Sequence, residues 1–383
     1  MEFVLSELCD QVMTAHAGHR PLFVCGGGTK SFYGNHRPVT PQEEHWLLDM
    51  TAYSGIVNYH PSELVVTVRA GTSLATLEAE LAEQGQMLAF EPPHFGAAAT
   101  VGGCVAAGLA GPRRMSAGSV RDFVLGARLL DYQGRLLSFG GEVMKNVAGY
   151  DISRLLAGSL GILGAIVDVS LKVIPRPFEE CTLRFEATQQ EALNHFAQWR
   201  GEPLAISATS WSPLDDAGTS MEDTARASSL ETAGYVTVRV SGAPPAIRAA
   251  KARIGGQVLD AELATLWWTS LREQVHAFFR PDQPLWRLAL PPTTPAQDFG
   301  VPTLIEWGGG QRWLRGKLDA GIIRAQAEKL GGHATLFRPA GGPVPEDGVF
   351  HPLSSGVDAI TRRLKQELDP AGLFNPGRLV LEL

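Results

Sequence analysis

With 383 residues, 44% of them hydrophobic and 19% charged, the chain is long enough for two or three domains and too apolar to be disordered. A net charge of −7 with no cluster of Lys and Arg argues against a nucleic-acid partner, because neutralising phosphates requires concentrated basic side chains. No apolar run is long enough to span a bilayer, and the acidic Glu2, Glu7 and Asp10 are unlike a secretory signal, so a cytoplasmic location is expected.

Taken from the N-terminus, residues 1–178 read as an α+β unit of short strands punctuated by glycine. Residues 22–24 form a short apolar strand that ends at Gly26-Gly27-Gly28, and 64–68 is a second β-rich run. Leu74, Leu77 and Leu81 recur at helical spacing, with Gly85 as the stop. A long Gly/Ala-rich segment occupies 97–111, strands are expected at 124–130 and 164–173, and Pro175-Arg176-Pro177 marks a domain boundary. Residues 179–345 alternate strands (181–185, 204–208, 235–240) with helices (190–199, after Pro244-Pro245, a Trp-rich 261–279, and 322–330), which predicts a smaller α+β domain with an antiparallel sheet. The polar stretch 212–233 reads as a loop. In the closing segment 346–383, Val357, Ile360, Leu364 and Leu368 predict a helix ended by Asp369-Pro370 and followed by a turn at Phe374-Asn375-Pro376-Gly377.

The cysteines Cys9, Cys25, Cys104 and Cys181 are widely spaced and include no C-x-x-C pair. That disfavours a disulfide framework, structural zinc or an iron–sulfur cluster, so no metal is expected and any such cluster belongs to a partner.

Three cofactor readings compete for Gly26-Gly27-Gly28-Thr29-Lys30-Ser31. A dinucleotide fingerprint needs glycine where Ser31 stands and a helix beginning there, which Gly34 and Pro38 break, although Asp49 lies where a ribose-binding acid would. A P-loop needs glycine where Thr29 stands. What remains is a backbone nest for an anion, set against an ordinary glycine-rich turn. Thr100-Val101-Gly102-Gly103 through Gly108 forms a second segment poor in bulk, suited to a flat ligand or to a tight core turn. Gly118-Ser119-Val120-Arg121-Asp122 is a third, and Ala157 to Gly164 a fourth. The fourth imitates a nucleophile elbow, but Ala157 replaces the first glycine and a helix-like run precedes it, so Ser159 is a poor nucleophile.

In this order the segments resemble the FAD-binding domain of the vanillyl-alcohol oxidase and p-cresol methylhydroxylase superfamily, and within it the D-lactate dehydrogenase and glycolate oxidase group. The similarity covers about residues 20–178 and recurs at Leu368 to Gly377. The wording Lys145-Asn146-Val147-Ala148-Gly149-Tyr150-Asp151 is similar to that of the smaller FAD-binding subunits of bacterial glycolate oxidases. The resemblance implies a p-cresol methylhydroxylase-type FAD-binding domain over 1–178, a cap domain over 179–345, and a segment 346–383 returning to the first. It implies that Gly26, Gly27, Gly28, Thr29, Lys30 and Ser31 hold the pyrophosphate and that Thr100, Val101, Gly102, Gly103 and Gly108 pass beside it and the flavin ring. Gly118, Ser119 and Asp122 would continue the site, with Gly161 and Ile166 near the adenosine portion. Relatives that bond the flavin covalently do so through His or Cys, and many of them carry His where Thr29 stands, so the resemblance implies a non-covalent FAD.

The resemblance further implies a multi-subunit glycolate (2-hydroxy acid) oxidase or dehydrogenase. In it a second FAD-binding catalytic subunit and an iron–sulfur subunit would be partners, and membrane association would come only through them. A self-sufficient oxidoreductase and a non-redox structural subunit with a degenerate fold are the alternatives. The His-rich, Gly-Asp-containing motif of catalytic relatives has no counterpart among His195, His276, His333 and His351. Oxidising a 2-hydroxy acid needs a base and a cation for the carboxylate. Arg113, Arg114 and Arg121 are cation candidates, Tyr150 and Asp151 polar ones, and Arg272, Arg287 and Arg312 sit among tryptophans, but no spacing singles out a catalytic residue.

Overall fold

The structure, a computed structural model, describes residues 1–35, 46–141, 151–214, 233–342 and 344–383. The Lys145–Tyr150 wording, Pro38 and most of the expected 212–233 loop therefore lie outside the described residues. The chain divides into two units: Met1–Ala110, Ser119–Arg176 and Pro352–Leu383 form one, and Gly111–Gly118 with Pro177–His351 form the other. The eight residues 111–118 thus belong to the second unit although they interrupt the first in sequence.

In the first unit, helix α1 (Glu2–Ala17) buries Leu8, Val12 and Ala15, a stripe at helical spacing. Strands β1 (Phe23–Cys25) and β2 (Leu47–Asp49) pair in parallel. A five-stranded sheet is built from β3 (Ile56–His60), β4 (Val65–Arg69), β6 (Val124–Leu130), β7 (Leu136–Gly140) and β8 (Ala165–Lys172) in the order β3-β4-β8-β6-β7, every pairing antiparallel. β8 is central and buried from Ala165 to Leu171, which explains its near-continuous apolar run. Its one acid, Asp168, is paired with Arg128 of β6. A minor pair joins β5 (Gln86–Met87) to β9 (Ile174–Pro175). Helix α2 (Leu74–Glu83) buries Leu74, Leu77 and Leu81 and gives way to Gly85 at φ 64°.

The Gly/Ala-rich stretch contains an element that its composition concealed. Residues Val101–Ala107 form helix α3, capped at its start by the Thr100 hydroxyl, which accepts from Gly103 N at 3.3 Å, and ended by Gly108 at φ 64°. Strands β2, β3 and β7 are likewise absent from the sequence reading.

The second unit is an eight-stranded sheet, all pairings antiparallel, made of β10 (Glu179–Thr188), β11 (Ile206–Pro213), β12 (Ala233–Gly242), β13 (Gln257–Val258), β14 (Leu285–Ala289), β15 (Thr303–Glu306), β16 (Gln311–Arg315) and β17 (His333–Arg338). Helix Gln189–Arg200, started by a Thr188–Glu191 capping box, packs Phe196 and Trp199 against Trp211, Val236 and Val238. Helix Ala320–Lys329 covers a second cluster around Trp286, Leu288 and Leu314. The Trp-rich helix is Ala261–Arg272, shorter than expected, because Gln274 takes up a left-handed φ of 53°. Residues 111–118 are fixed to this sheet by Arg113 on Glu180 and Ser241, Ser116 Oγ donating to Ser207 O (3.1 Å), and Trp307 Nε1 donating to Gly111 O (3.1 Å).

Among the described residues no helix is long and apolar enough to cross a membrane, and no group of three His, Cys, Asp or Glu side chains is placed to hold a metal ion.

Candidate functional site

A cleft in the first unit is walled by the loop after β1, the start of α3, the turn 160–166 and the C-terminal turn Asn375 to Arg378. Of the residues singled out in sequence, Gly26, Gly27, Gly28, Thr29, Lys30, Ser31, Thr100, Gly102, Gly103, Gly161 and Ile166 all line it. The loop continues as turns from Gly26 to Asn35 rather than as a helix. Among the described residues the N–H groups of Gly26, Gly27, Gly28 and Thr29 have no protein acceptor. Four successive donors on a cleft wall form the kind of nest that holds an anion.

The glycines divide by what surrounds them. A Cβ on Gly27 would lie 1.6 Å from the Ala98 carbonyl oxygen, one on Gly26 2.2 Å from the Thr100 hydroxyl, and one on Gly102 2.6 Å from the Ala70 methyl. Protein packing alone demands glycine at these three positions, as the tight-turn alternative allowed. Gly28 differs: at φ 69° it needs glycine for its backbone, and a Cβ there would meet nothing within 4 Å.

The remaining expected residues lie elsewhere. Val101 is fully buried in the core, and Gly108 faces the Gly158 backbone, which a Cβ would approach to 2.9 Å. Ser119 and Asp122 close a capping box on the short helix Val120–Phe123, where Asp122 Oδ2 accepts from both Ser119 N and Ser119 Oγ at 2.8 Å. Gly118 belongs to the second unit.

The C-terminal segment supplies what the sequence left without a role. Asn375, held at φ 42°, accepts from Val24 N through Oδ1 (2.8 Å) and donates to Leu160 O through Nδ2 (2.7 Å), tying β1 to the 160–166 turn. Arg378 donates through Nη2 to Ser31 O (2.6 Å) and Lys30 O (3.4 Å), bracing the nest from behind. Burial pushes the Arg378 guanidinium down to about 10, which leaves it charged at neutral pH. Lys30 Nζ donates to His94 O (3.2 Å) and stands 5.7 Å from the Phe95 ring centre. The described lining holds these two cations and no carboxylate. Cys25, also on the wall, is a neutral thiol, pushed up to about 11 by burial and by Asp49. An anionic, elongated ligand fits this wall. The sequence signals for this segment were the turn-forming Asn-Pro-Gly run and the family resemblance at Leu368 to Gly377, which includes Asn375 but stops short of Arg378.

The candidate catalytic side chains do not converge. Asp151 caps helix Ile152–Leu155 and pairs with Arg154. Arg113 is buried on Glu180, Arg114 stacks 4.4 Å from the Trp307 ring centre, and Arg272 pairs with Glu273. Arg287 and Arg312 cannot share a pocket: Arg287 pairs with Trp313 and Leu288 with Arg312, and successive residues of a strand face opposite sides. His195 stacks on Trp199, and His276 meets Trp267 edge-on.

Comparisons with known proteins agree with the cleft. Residues 5–140 match the FAD binding domain family model. Over 376 residues the chain is 45% identical to glycolate oxidase subunit GlcE of Escherichia coli, covering 98% of this chain and 97% of that one. D-lactate dehydrogenase of Archaeoglobus fulgidus is 32% identical over 45% of this chain and 38% of its own length. Glycolate oxidase subunit GlcD of Bacillus subtilis is 30% identical over 45% of this chain and 36% of its own. A solved alkyldihydroxyacetonephosphate synthase superposes with a TM-score of 0.64 at 16% identity, covering 97% of this chain and 74% of that one, a likeness of fold.

Proposed function

The chain belongs to the family of glycolate oxidase subunit GlcE, and from that premise we propose that it is the FAD-binding subunit of a multi-subunit glycolate oxidase or dehydrogenase. In this reading it takes part in oxidising glycolate to glyoxylate and passes electrons to an iron–sulfur partner, while a second flavoprotein subunit carries the substrate chemistry. The observation that carries the cofactor assignment is the run of four N–H groups from Gly26 to Thr29 without a protein acceptor, on a wall that holds Lys30 and Arg378 and no described carboxylate. These donors would hold the diphosphate, Thr100, Gly102 and Gly103 would flank it, and Gly161 and Ile166 would line its further course. FAD would supply the electron-accepting chemistry, and the chain would bind, orient and shield it. Thr29, a side chain that forms no bond to a flavin ring, supports non-covalent binding.

The second unit supports this division of labour. Its candidate arginines and histidines are engaged with carboxylates, carbonyls and rings on separate faces, which favours a subunit that relays electrons over one that turns over hydroxy acid alone. Purified chain should be yellow and should release free FAD on acid precipitation. A colourless protein that cannot be reconstituted with FAD would return the fold to a purely structural role. Anaerobic glycolate should leave the flavin of the isolated chain oxidised and bleach it only when the partner subunits are added; bleaching by the chain alone would make it self-sufficient.

A further inference from the structure

One turn of the C-terminal segment holds both ends of the nest. At the entry, Asn375 Oδ1 accepts from Val24 N (2.8 Å), Leu22 N donates to Leu373 O (2.7 Å) and Asn375 N donates to Leu22 O (2.9 Å). At the exit, Arg378 Nη2 donates to Ser31 O (2.6 Å) and Lys30 O (3.4 Å). There Arg378 O also accepts from Asn35 N (2.9 Å), and Asn35 Nδ2 donates to Leu379 O (3.3 Å). The turn has its own support. Helix Ser355–Leu368 delivers it, with apolar Val357 and Ile360 exposed and Lys365 Nζ donating to Asp369 Oδ2 (2.7 Å), Ile162 O (2.7 Å) and Phe374 O (3.0 Å).

Between the two anchors the glycines are not equally fixed. Gly26 and Gly27 are pinned by Thr100 and Ala98, whereas nothing lies within 4 Å of where a Cβ on Gly28 would stand. A glycine so placed turns to either hand at little cost, so packing leaves the direction of the following peptides undecided. Ser31 N closes a turn on Gly28 O (3.0 Å), and the carbonyls that Arg378 takes, Lys30 and Ser31, come directly after that pivot. An anion nest needs its N–H groups forward and its carbonyls behind, because the two point opposite ways across a planar peptide. A guanidinium behind the loop stabilises that arrangement through charge-assisted bonds. Gly34 makes room for it: at φ 94°, a Cβ there would stand 3.0 Å from Arg378 O and 3.2 Å from Arg378 Nε. The ammonium of Lys30 is turned to His94 O instead.

We propose that Arg378 is the positioning residue of the nest, setting its N–H groups toward the diphosphate of a nucleotide before that ligand binds. The ligand's identity as FAD rests on the function proposed above; the selectivity for a diphosphate does not. Preorganisation of this kind lowers the cost of binding for the group the nest surrounds and leaves the rest of the ligand unaffected.

The test titrates the full-length apoprotein with FAD, with ADP and with adenosine, the last by ligand-observed NMR. Arg378→Met should weaken FAD and ADP alike, by about thirtyfold, and leave adenosine affinity and the apoprotein melting temperature close to wild type. Arg378→Lys, which keeps the charge and loses the planar fork, should weaken ADP by only about threefold. Unchanged ADP affinity in Arg378→Met would overturn the proposal, as would equal losses for ADP and adenosine, the mark of a general brace. If Arg378→Met does not fold, Arg378→Lys decides: weaker ADP with unchanged adenosine supports the role, and wild-type ADP affinity overturns it. The wild type separates the two readings. An apoprotein that takes ADP but never FAD would refute the flavin and leave Arg378 its role, whereas a yellow chain whose ADP affinity ignores Arg378 would refute the positioning role alone. A wild type that takes neither would refute both.

Discussion

At the scale of single residues, the glycines of the cleft obey two different constraints that composition cannot separate. Gly27 is compelled by the Ala98 carbonyl, a backbone atom that cannot move aside, so Gly27→Ala should destabilise the protein by about 3 kcal/mol or more and abolish flavin binding together with stability. Gly28 is compelled only by its left-handed backbone and opens on free space. Gly28→Ala should therefore cost about 1–2 kcal/mol and lower flavin affinity out of proportion to its effect on folding. Thermal melts of the apoprotein and flavin titrations of both variants would check this pair. Equal losses of affinity per unit of lost stability would mean that the nest has no direct part in binding. Asn375 shows the converse: one amide with two partners fixes the 160–166 turn against β1, a role invisible until residues 351 and 215 positions apart in sequence are brought together.

At the scale of elements, the C-terminal helix is held by a buried ion pair rather than by its apolar stripe. Asp369 accepts from Lys365 Nζ, Leu373 N (3.0 Å) and Phe374 N (2.9 Å), and removing it leaves a buried ammonium uncompensated. Asp369→Ala should destabilise the first unit by about 3–5 kcal/mol, read by chemical denaturation, whereas Val357→Gln should change stability little. In the second unit, His333 of β17 and His351 lie 6.3 Å apart between ring centres. Partial burial, first, and then the Arg287 and His351 charges hold His333 below its ordinary value of 6.5; burial and Arg324 do the same for His351, against smaller opposing effects of Glu328 and Asp347. The unfolded chain therefore takes up protons that the folded chain refuses. Stability from these groups is complete above about pH 6.5 and falls as pH drops below it. Melting temperature should decline more between pH 7 and 5.5 in the wild type than in a His333→Asn/His351→Gln variant. An equal decline in both would place the acid sensitivity elsewhere.

At the scale of the whole chain, the first unit is discontinuous, and its last 32 residues, Pro352–Leu383, return to it after the second unit is complete. They contribute Asn375 and Arg378 to the cleft wall and Lys365 and Asp369 to its support. Truncation after His351 should thus eliminate flavin binding and leave an aggregation-prone first unit, while the second unit, whose β10–β12 and β14–β17 pairings lie outside the lost segment, keeps its sheet. Circular dichroism, limited proteolysis and flavin content of the truncated chain would test the three parts separately. A truncated protein that remained yellow would show that the returning segment is dispensable to the site.

What the sequence determined by itself was local and ordered: strand and helix periodicities, and a succession of glycine segments distinctive enough to carry the family resemblance. The loop from Gly26 to Ser31 was legible because its glycines and flanking strand are contiguous. Helix α3 was not, since Gly102 and Gly103 disfavour a helix on propensity alone and only packing of Gly102 on Ala70, with the Thr100 cap, makes one there. Only the tertiary structure decided which glycines serve packing and which face the cleft, that the C-terminal turn completes the wall, and that the apolar stripe of Ser355–Leu368 points outward. Each of these depends on atoms far apart in sequence, tens of residues for the glycine contacts and hundreds for the C-terminal ones, and a periodic pattern states that a helix has two faces without stating which one the rest of the chain will cover.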